Sequence, residues 1–458
     1  MIKANIILIF LASLFSLSAT SPLQNQTGLA LSEPEIERFS VFFSSDKIAK
    51  EQTLQYLDRN WKDEYTVMVL ETVYLLNDLD YSFKLTTILH EKTGQQFGYE
   101  FNDWYRWLWN KKEHVLPDYA DFKAKLYSRL DGRFKKYFEG RYDNQIRLDE
   151  VVWGGVAQDG IPPLRDPEMI NATEAQYLED DNVVFGIEVN GDVRAYPKRI
   201  LAWHEMFVDE VGGVPVVGVY CTLCGTVILY KSEHNGINHE MGTSGFLYRS
   251  NKLMYDKATQ SLWNTLWGEP VIGPLAGKGI ALEHMSVVTT TWGEWKKRHP
   301  ETQVLSLKTG HTRDYGEGVA YHNYFATDQL MFNIPKRDRR LKNKDEVLAL
   351  RLPAYPEEQL AISARYLSKH PIYHDKVGEV GLVVLTDESG ANRVYETNGQ
   401  TFSDYDQQST VIDNTGEKWT LHEDKLISTN GDVLKRLPYH RAFWFGWHSA
   451  YPKTRLVK

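Results

Sequence analysis

Apolar residues recur at three- and four-residue spacing from about residue 31 to residue 141, the period of helices that bury one face. Leu54, Leu57, Trp61, Tyr65 and Met68 set the rhythm, and Val69, Val73, Leu75, Leu76 and Leu79 continue it. Trp104, Trp107 and Leu108 fall in a later helix, and Ser32-Glu33-Pro34-Glu35 reads as a helix start with Ser as its cap. Glycine occurs there only at positions 94, 98, 132 and 140, where turns between helices call for it. This pattern predicts a helical domain over residues 28–145, a bundle or short array. The run Trp104-Tyr105-Arg106-Trp107-Leu108-Trp109 reads as core packing in preference to a sugar-stacking or partner surface.

After Arg147 the period becomes that of strands. Val183–Val189 and 193–196 flank Asn190-Gly191, a two-residue hairpin signal, and a second hairpin spans 214–230. Residues 304–307, 381–385, 393–396, 418–421 and 426–428 read as further strands separated by Gly, Asn and Asp. A helix is expected over 286–299 and a charged surface loop over 337–346, and no internal repeat at a fixed period stands out. The expected fold class is α+β: an N-terminal α-helical domain, then a larger antiparallel or mixed β-rich domain over 150–458 with inserted helices.

With 458 residues, 42% of them hydrophobic, the chain buries a sizeable core, which excludes wholesale disorder. It carries 52 basic and 61 acidic residues, a net charge of -9, and no long basic run, so nucleic acid is not an expected partner. The first twenty residues hold Lys3, an apolar stretch from Ile6 to Leu17 and then Ser18-Ala19-Thr20, with Pro22 beyond. That is the layout of a secretory signal peptide over 1–20, so the product is expected to be periplasmic or secreted. As an uncleaved anchor the stretch falls short of the roughly 20 residues that cross a bilayer, and no later run of about 18 apolar residues suggests a span.

Both cysteines of the chain sit in Val219-Tyr220-Cys221-Thr222-Leu223-Cys224-Gly225-Thr226. A tight Cys-x-x-Cys-Gly turn between strands points both sulfurs the same way, and Gly225 suits a left-handed position behind the second. The β-branched run that follows argues against a thioredoxin-type helix start. Zinc needs four ligands and copper(I) fewer, so a metal reading recruits His204 and His311 beside Cys221 and Cys224. His234, His239 and Met241 lie further off. Export favours oxidation, so a disulfide across the turn is the other reading. Asp256 reads equally as a turn cap or a catalytic acid. The stretch His204-Glu205-Met206-Phe207-Val208 lacks the second His of a zinc-protease helix. Residues 242–245 are one residue short of a nucleophile elbow, and 273–279 make no phosphate loop, so no nucleotide cofactor motif is present.

The blocks Trp203-His204-Glu205, Tyr220-Cys221-Thr222-Leu223-Cys224-Gly225-Thr226, Gly242-Thr243-Ser244-Gly245, Leu253-Met254-Tyr255-Asp256 and Ser261-Leu262-Trp263 occur in order. They continue through Thr291-Trp292, Leu305-Ser306, Thr309-Gly310-His311-Thr312-Arg313-Asp314-Tyr315-Gly316 and Phe443-Trp444-Phe445-Gly446-Trp447. Together they resemble the signature of an exported prokaryotic family, domain of unknown function 3179, over about residues 150–455. Thr222 stands where that family often has Pro. The resemblance implies one domain over this span and no particular activity; the helical region lies outside it. Three functions are expected to compete. The first is zinc or copper(I) binding through Cys221, Cys224, His204 and His311. The second is a metal- or thiol-dependent enzyme whose cleft holds His204, Glu205, His311, Arg313 and Asp314, with His as proton carrier and Arg313 on an anionic group. The third is an interaction protein that recruits a protein partner through its helices and keeps the cysteines as a structural disulfide.

Overall fold

In the computed structural model, which describes residues 33–140 and 142–458, the helical period of the first third folds as expected. Helices Glu33–Val41, Lys47–Arg59, Tyr65–Leu75, Leu79–Thr93, Phe101–Trp109 and Tyr119–Tyr127 follow one another. The leader over 1–20 and the Ser32 cap lie outside the described residues. Asp46 and Asp78 cap two of these helices, accepting from the Ala49 and Tyr81 amides. Every residue from Tyr65 to Val73 is buried, which makes Tyr65–Leu75 the central helix. Leu79, placed on the apolar stripe by its spacing, is 84% exposed, because it is the first residue after the Asp78 cap and precedes the packed face.

The helices cap one sheet. Its strands run in the order Val151–Trp153, Met241–Tyr248, Asn251–Asp256, Leu262–Asn264, Glu269–Ile272. A single hydrophobic cluster passes from the helices into this sheet, with the rings of Tyr127, Phe134, Tyr137 and Phe138 gathered around Phe246. Trp104, Tyr105, Leu108 and Trp109 are buried, and the Trp109 indole donates to the Asp149 carbonyl, so that aromatic run is core. Within this cap, Lys123 and Glu71 form a fully buried ion pair at 2.5 Å. The Lys123 ammonium also donates to the Val151 carbonyl, and the Tyr119 hydroxyl donates to Glu71.

The rest of the chain holds a duplication that periodicity did not reveal. One sheet runs Val288–Thr291, Val183–Val189, Asp192–Pro197, Gln303–Leu305, Met169–Asn171; another runs His440–Phe443, Glu346–Leu350, Leu360–Ser363, Arg455–Val457. Their first four strands correspond in order, direction and register. Thr291 pairs with Val183 as Phe443 pairs with Glu346, and Val304 runs parallel to Ala195 as Leu456 does to Ala361. Each first strand is followed by a short helix, Trp292–Arg298 or Trp444–Ala450. In one, the Trp295 indole donates to Thr302; in the other, Trp447 donates to Thr454, both at 3.0 Å. The hairpin Met206–Val211/Val214–Cys221 with Thr226–Lys231 corresponds to Ile372–Val377/Val380–Thr386 with Asn392–Glu396. Residues 183–305 and 346–457 are therefore two copies of one unit.

The Asn190-Gly191 hairpin forms as expected, with φ of 50° and 83° at its two turn residues. The helix expected over 286–299 is shorter: Val288–Thr291 is a strand, as its three consecutive β-branched threonines favour, and Thr291 caps the helix that starts at Trp292. The charged loop ends at Asp345, since Glu346 opens a buried strand. No helix among the described residues is long and apolar enough to cross a membrane.

Candidate functional site

At the tip of the predicted hairpin over 214–230, Cys221 and Cys224 are joined by a disulfide. Gly225 follows with φ of 58°, as the turn requires, and a side chain there would meet the Phe443 ring at 2.7 Å. Two distant segments close on this tip, one around Tyr324 and one over 443–446. The Phe443 amide donates to the Cys224 carbonyl at 2.7 Å, and the Tyr324 hydroxyl donates to the Leu223 carbonyl at 2.7 Å. A Cβ on Gly446 would lie 3.1 Å from that of Cys224. Cys221 and Cys224 are 3% and 0% exposed.

The thiolates that a zinc or copper(I) knuckle needs are here the two halves of one bond. Among the described residues no three His, Cys, Asp or Glu side chains converge to hold a metal. The duplication supplies a physical account of the disulfide. In the second copy Asp387 stands where Cys221 stands in the first, and Gly390 where Gly225 stands. The Asp387 carboxylate accepts the Ser389 and Ala391 amides, so hydrogen bonds hold that turn closed where the covalent bond holds this one. Replacing both cysteines by serine is expected to leave the fold intact and cost about 2 kcal/mol, the loop-closure value for so short a loop. Denaturant titration checks this, and an unchanged midpoint would refute the staple.

His204 and Glu205 end the helix Lys198–His204, and Glu205 takes φ of 56°, uncommon for a residue with a side chain. The two neighbours serve different partners. His204 is fully buried, and burial pushes its pKa down to about 4, so the ring is neutral. The Pro162 carbonyl, 2.8 Å from Nδ1, can only accept, so Nδ1 carries the proton. Nε2 therefore accepts from the Tyr315 hydroxyl at 2.6 Å, and the Tyr315 oxygen lies 2.6 Å from the Thr309 hydroxyl. Glu205 instead forms a buried ion pair with Lys252 at 2.6 Å and accepts from the Tyr321 hydroxyl.

The fold does bring His311 to His204, with ring centroids 5.2 Å apart and His311 on the exposed side. Asp314 joins through its backbone, its carbonyl accepting from the Trp203 indole, while its carboxylate caps Gly316. Arg313 is exposed and donates to the Thr312 carbonyl. Asp256 serves as a turn cap for Thr259 and also holds the buried His239 at 2.7 Å.

A cavity of about 170 Å³ adjoins the disulfide turn where the two copies meet. Lys198, Gly225 and Thr289 line it from the first copy, Glu346, Arg441 and Phe443 from the second. Arg441 occupies in its copy the register position of Thr289. One Arg441 nitrogen donates to Glu346 at 2.8 Å and another to Asn392. Its Nε and the Thr289 hydroxyl are buried without a partner. Lys198 forms no ion pair among the described residues and lies over the Phe325 ring. Burial works to raise the Glu346 pKa, but Arg441 and Lys198 outweigh it and hold the carboxyl below its ordinary value.

Residues 158–454 match the family model described as protein of unknown function (DUF3179). The chain belongs to that family. No curated protein and no solved structure matches it. The DUF3179 segment covers the first copy, the disulfide turn and all of the second copy but its last strand, while the helical cap precedes it. Of the groups now placed around the DUF3179 cavity and His204, sequence reasoning missed Lys198, Thr289, Arg441 and Tyr315. Tyr315 shared a motif block with His311 and could have been found there. Lys198, Thr289 and Arg441 belong to no motif; only the meeting of the two copies makes them neighbours.

Proposed function

We propose that this DUF3179 protein is exported and clasps a small anionic ligand in the cavity between its two copies. The observation that carries the reading is the pair of buried donors, Arg441 Nε and the Thr289 hydroxyl, left without partners among the described residues beside the Lys198 cation. An unmet buried donor costs about 1–3 kcal/mol, which a carboxylate or phosphate oxygen recovers. Lys198 and Arg441 against Glu346 leave the cavity wall net positive in a chain of net charge -9. Export is supported by the leader-like residues 1–20 and by a disulfide, a bond that persists in oxidising compartments.

Calorimetric titration with acetate, succinate, sulfate and phosphate tests the ligand. At least one is expected to bind, and Lys198→Met to weaken it tenfold or more while the melting temperature holds. Absence of binding by any of the four, or equal binding by Lys198→Met, would sink the reading. An acid–base enzyme is the second reading, favoured by the Tyr315–His204 pair, with the exposed His311 and Arg313 beside it and Glu205 and Asp314 nearby in sequence. Zinc or copper(I) on Cys221 and Cys224 with His204 or His311 requires a reduced pair. Metal content after purification without chelator, with and without reductant, decides that against the Cys221→Ser/Cys224→Ser variant.

A further inference from the structure

A second feature lies where the two copies touch, on two residues that belong to no motif block. His284 sits on the short strand His284–Met285, opposite Tyr230, and His440 opens the strand His440–Phe443. Their ring centroids are 5.6 Å apart, with the Tyr230 ring beside one and the Trp447 ring beside the other. His440 is 2% exposed, and neither of its nitrogens has a hydrogen-bond partner; Nε2 of His284 is also buried without one. Other buried imidazoles of the chain are engaged, His204 by Pro162 and Tyr315, His239 by Asp256. Buried polar groups are nearly always satisfied, so three unmet ring nitrogens in one place call for a missing partner.

The duplication provides an internal comparison. Val288 holds in the first copy the register position of His440, and Arg436 bridges Tyr395 as His284 pairs with Tyr230. Arg436 pairs with Glu423 at 3.4 Å through one nitrogen, while its Nε is buried without a partner. The unit therefore folds without an imidazole at either position, and the facing pair exists only on one side of the molecule.

We propose that His284 and His440 hold one copper(I) ion between them. Zinc would need four ligands, and among the described residues no third His, Cys, Asp or Glu joins the pair. Copper(I) is content with fewer ligands, and neutral imidazole suits it. Metal–nitrogen bonds of about 2 Å set two ligating rings about 6 Å apart at most, against the 5.6 Å found. Burial keeps both rings in the unprotonated form a metal requires, His284 with a pKa near 4 and His440 well below its ordinary value. Among the described residues the cation acting on His284 is Arg351, which Glu269 pairs at 3.0 Å. His284 itself is half-buried and its neighbour Glu283 is exposed, so the pair sits one residue in from the surface at this strand.

Anaerobic titration of the full chain with copper(I) against the chromophoric chelator bicinchoninate tests the site. One equivalent is expected to leave the chelator for the protein. His440→Leu and His284→Leu are each expected to weaken retention tenfold or more, and His204→Gln not at all. Because the His440 nitrogens are unmet, the metal-free His440→Leu protein should melt no lower than the parent. If that variant does not fold, His284→Leu, at the partly exposed edge, gives the same decision. No copper withdrawn from the chelator, or retention by both variants as tight as the parent's, overturns the proposal. So does an X-ray absorption spectrum with sulfur in the copper shell, which would put the ion on a cysteine or methionine instead of the two imidazoles alone.

Discussion

Replacing Lys123 by methionine is expected to destabilise the protein by about 3–5 kcal/mol, the range for removing one partner of a buried ion pair. Both side chains are fully buried, and Lys123 is the hub of the helical cap. Its ammonium holds Glu71 on the central helix and the Val151 carbonyl of the adjoining sheet, under the rings of Tyr119 and Tyr127. Burial already raises the Glu71 pKa against the pull of Lys123. Without the cation that carboxyl must be buried charged or take a proton. The loss should therefore shrink as pH falls, because a protonated Glu71 needs no counter-ion. Glu71→Gln/Lys123→Met is expected to recover much of it. Denaturant unfolding at pH 8 and pH 5 decides: a single-variant cost under about 1 kcal/mol at pH 8 would show that the pair does not organise the cap.

Acid is expected to remove roughly 3 kcal/mol through His204 alone, at about 1.4 kcal/mol per pKa unit. Folded, this imidazole has a pKa of about 4; unfolded, it returns to 6.5. Between those values the unfolded chain binds a proton that the folded one refuses. Its contribution is thus complete above pH 6.5, declines as pH falls and is gone by about pH 4. His204→Gln keeps a group that can both donate and accept but does not titrate, so its stability should vary less over that window. Parallel slopes for the two proteins between pH 6.5 and 4.5 would show that His204 is protonated in the folded state. They would also remove the support for a neutral Nε2 receiving the Tyr315 proton.

The copies escaped a reading based on period because matched strands share apolar character and few identities. The strongest trace lay in Trp292, Trp295, Pro300 and Thr302 against Trp444, Trp447, Pro452 and Thr454, each pair the same interval apart. Four such matches among substitutions are faint in sequence. They become decisive once Trp295 and Trp447 make the same bond in the same register.

What the sequence determined by itself is local. Helical and strand periods, the Asn190-Gly191 and Cys221–Gly225 turns, and the α+β order all follow from which face each segment must bury and from backbone conformations that few residues tolerate. The spacing Cys221-Thr222-Leu223-Cys224 placed the sulfurs side by side but did not choose between a metal and a disulfide, since both use that turn. Tertiary structure decided the rest: the meeting of His204 with Tyr315 and His311, the isolation of Glu205 with Lys252, and the cavity and imidazole pair between the copies. Those neighbours are set by how sheets pack across some fifty to more than two hundred residues of chain. Period and spacing carry no record of that, because the burial of a strand is indifferent to which distant strand covers it.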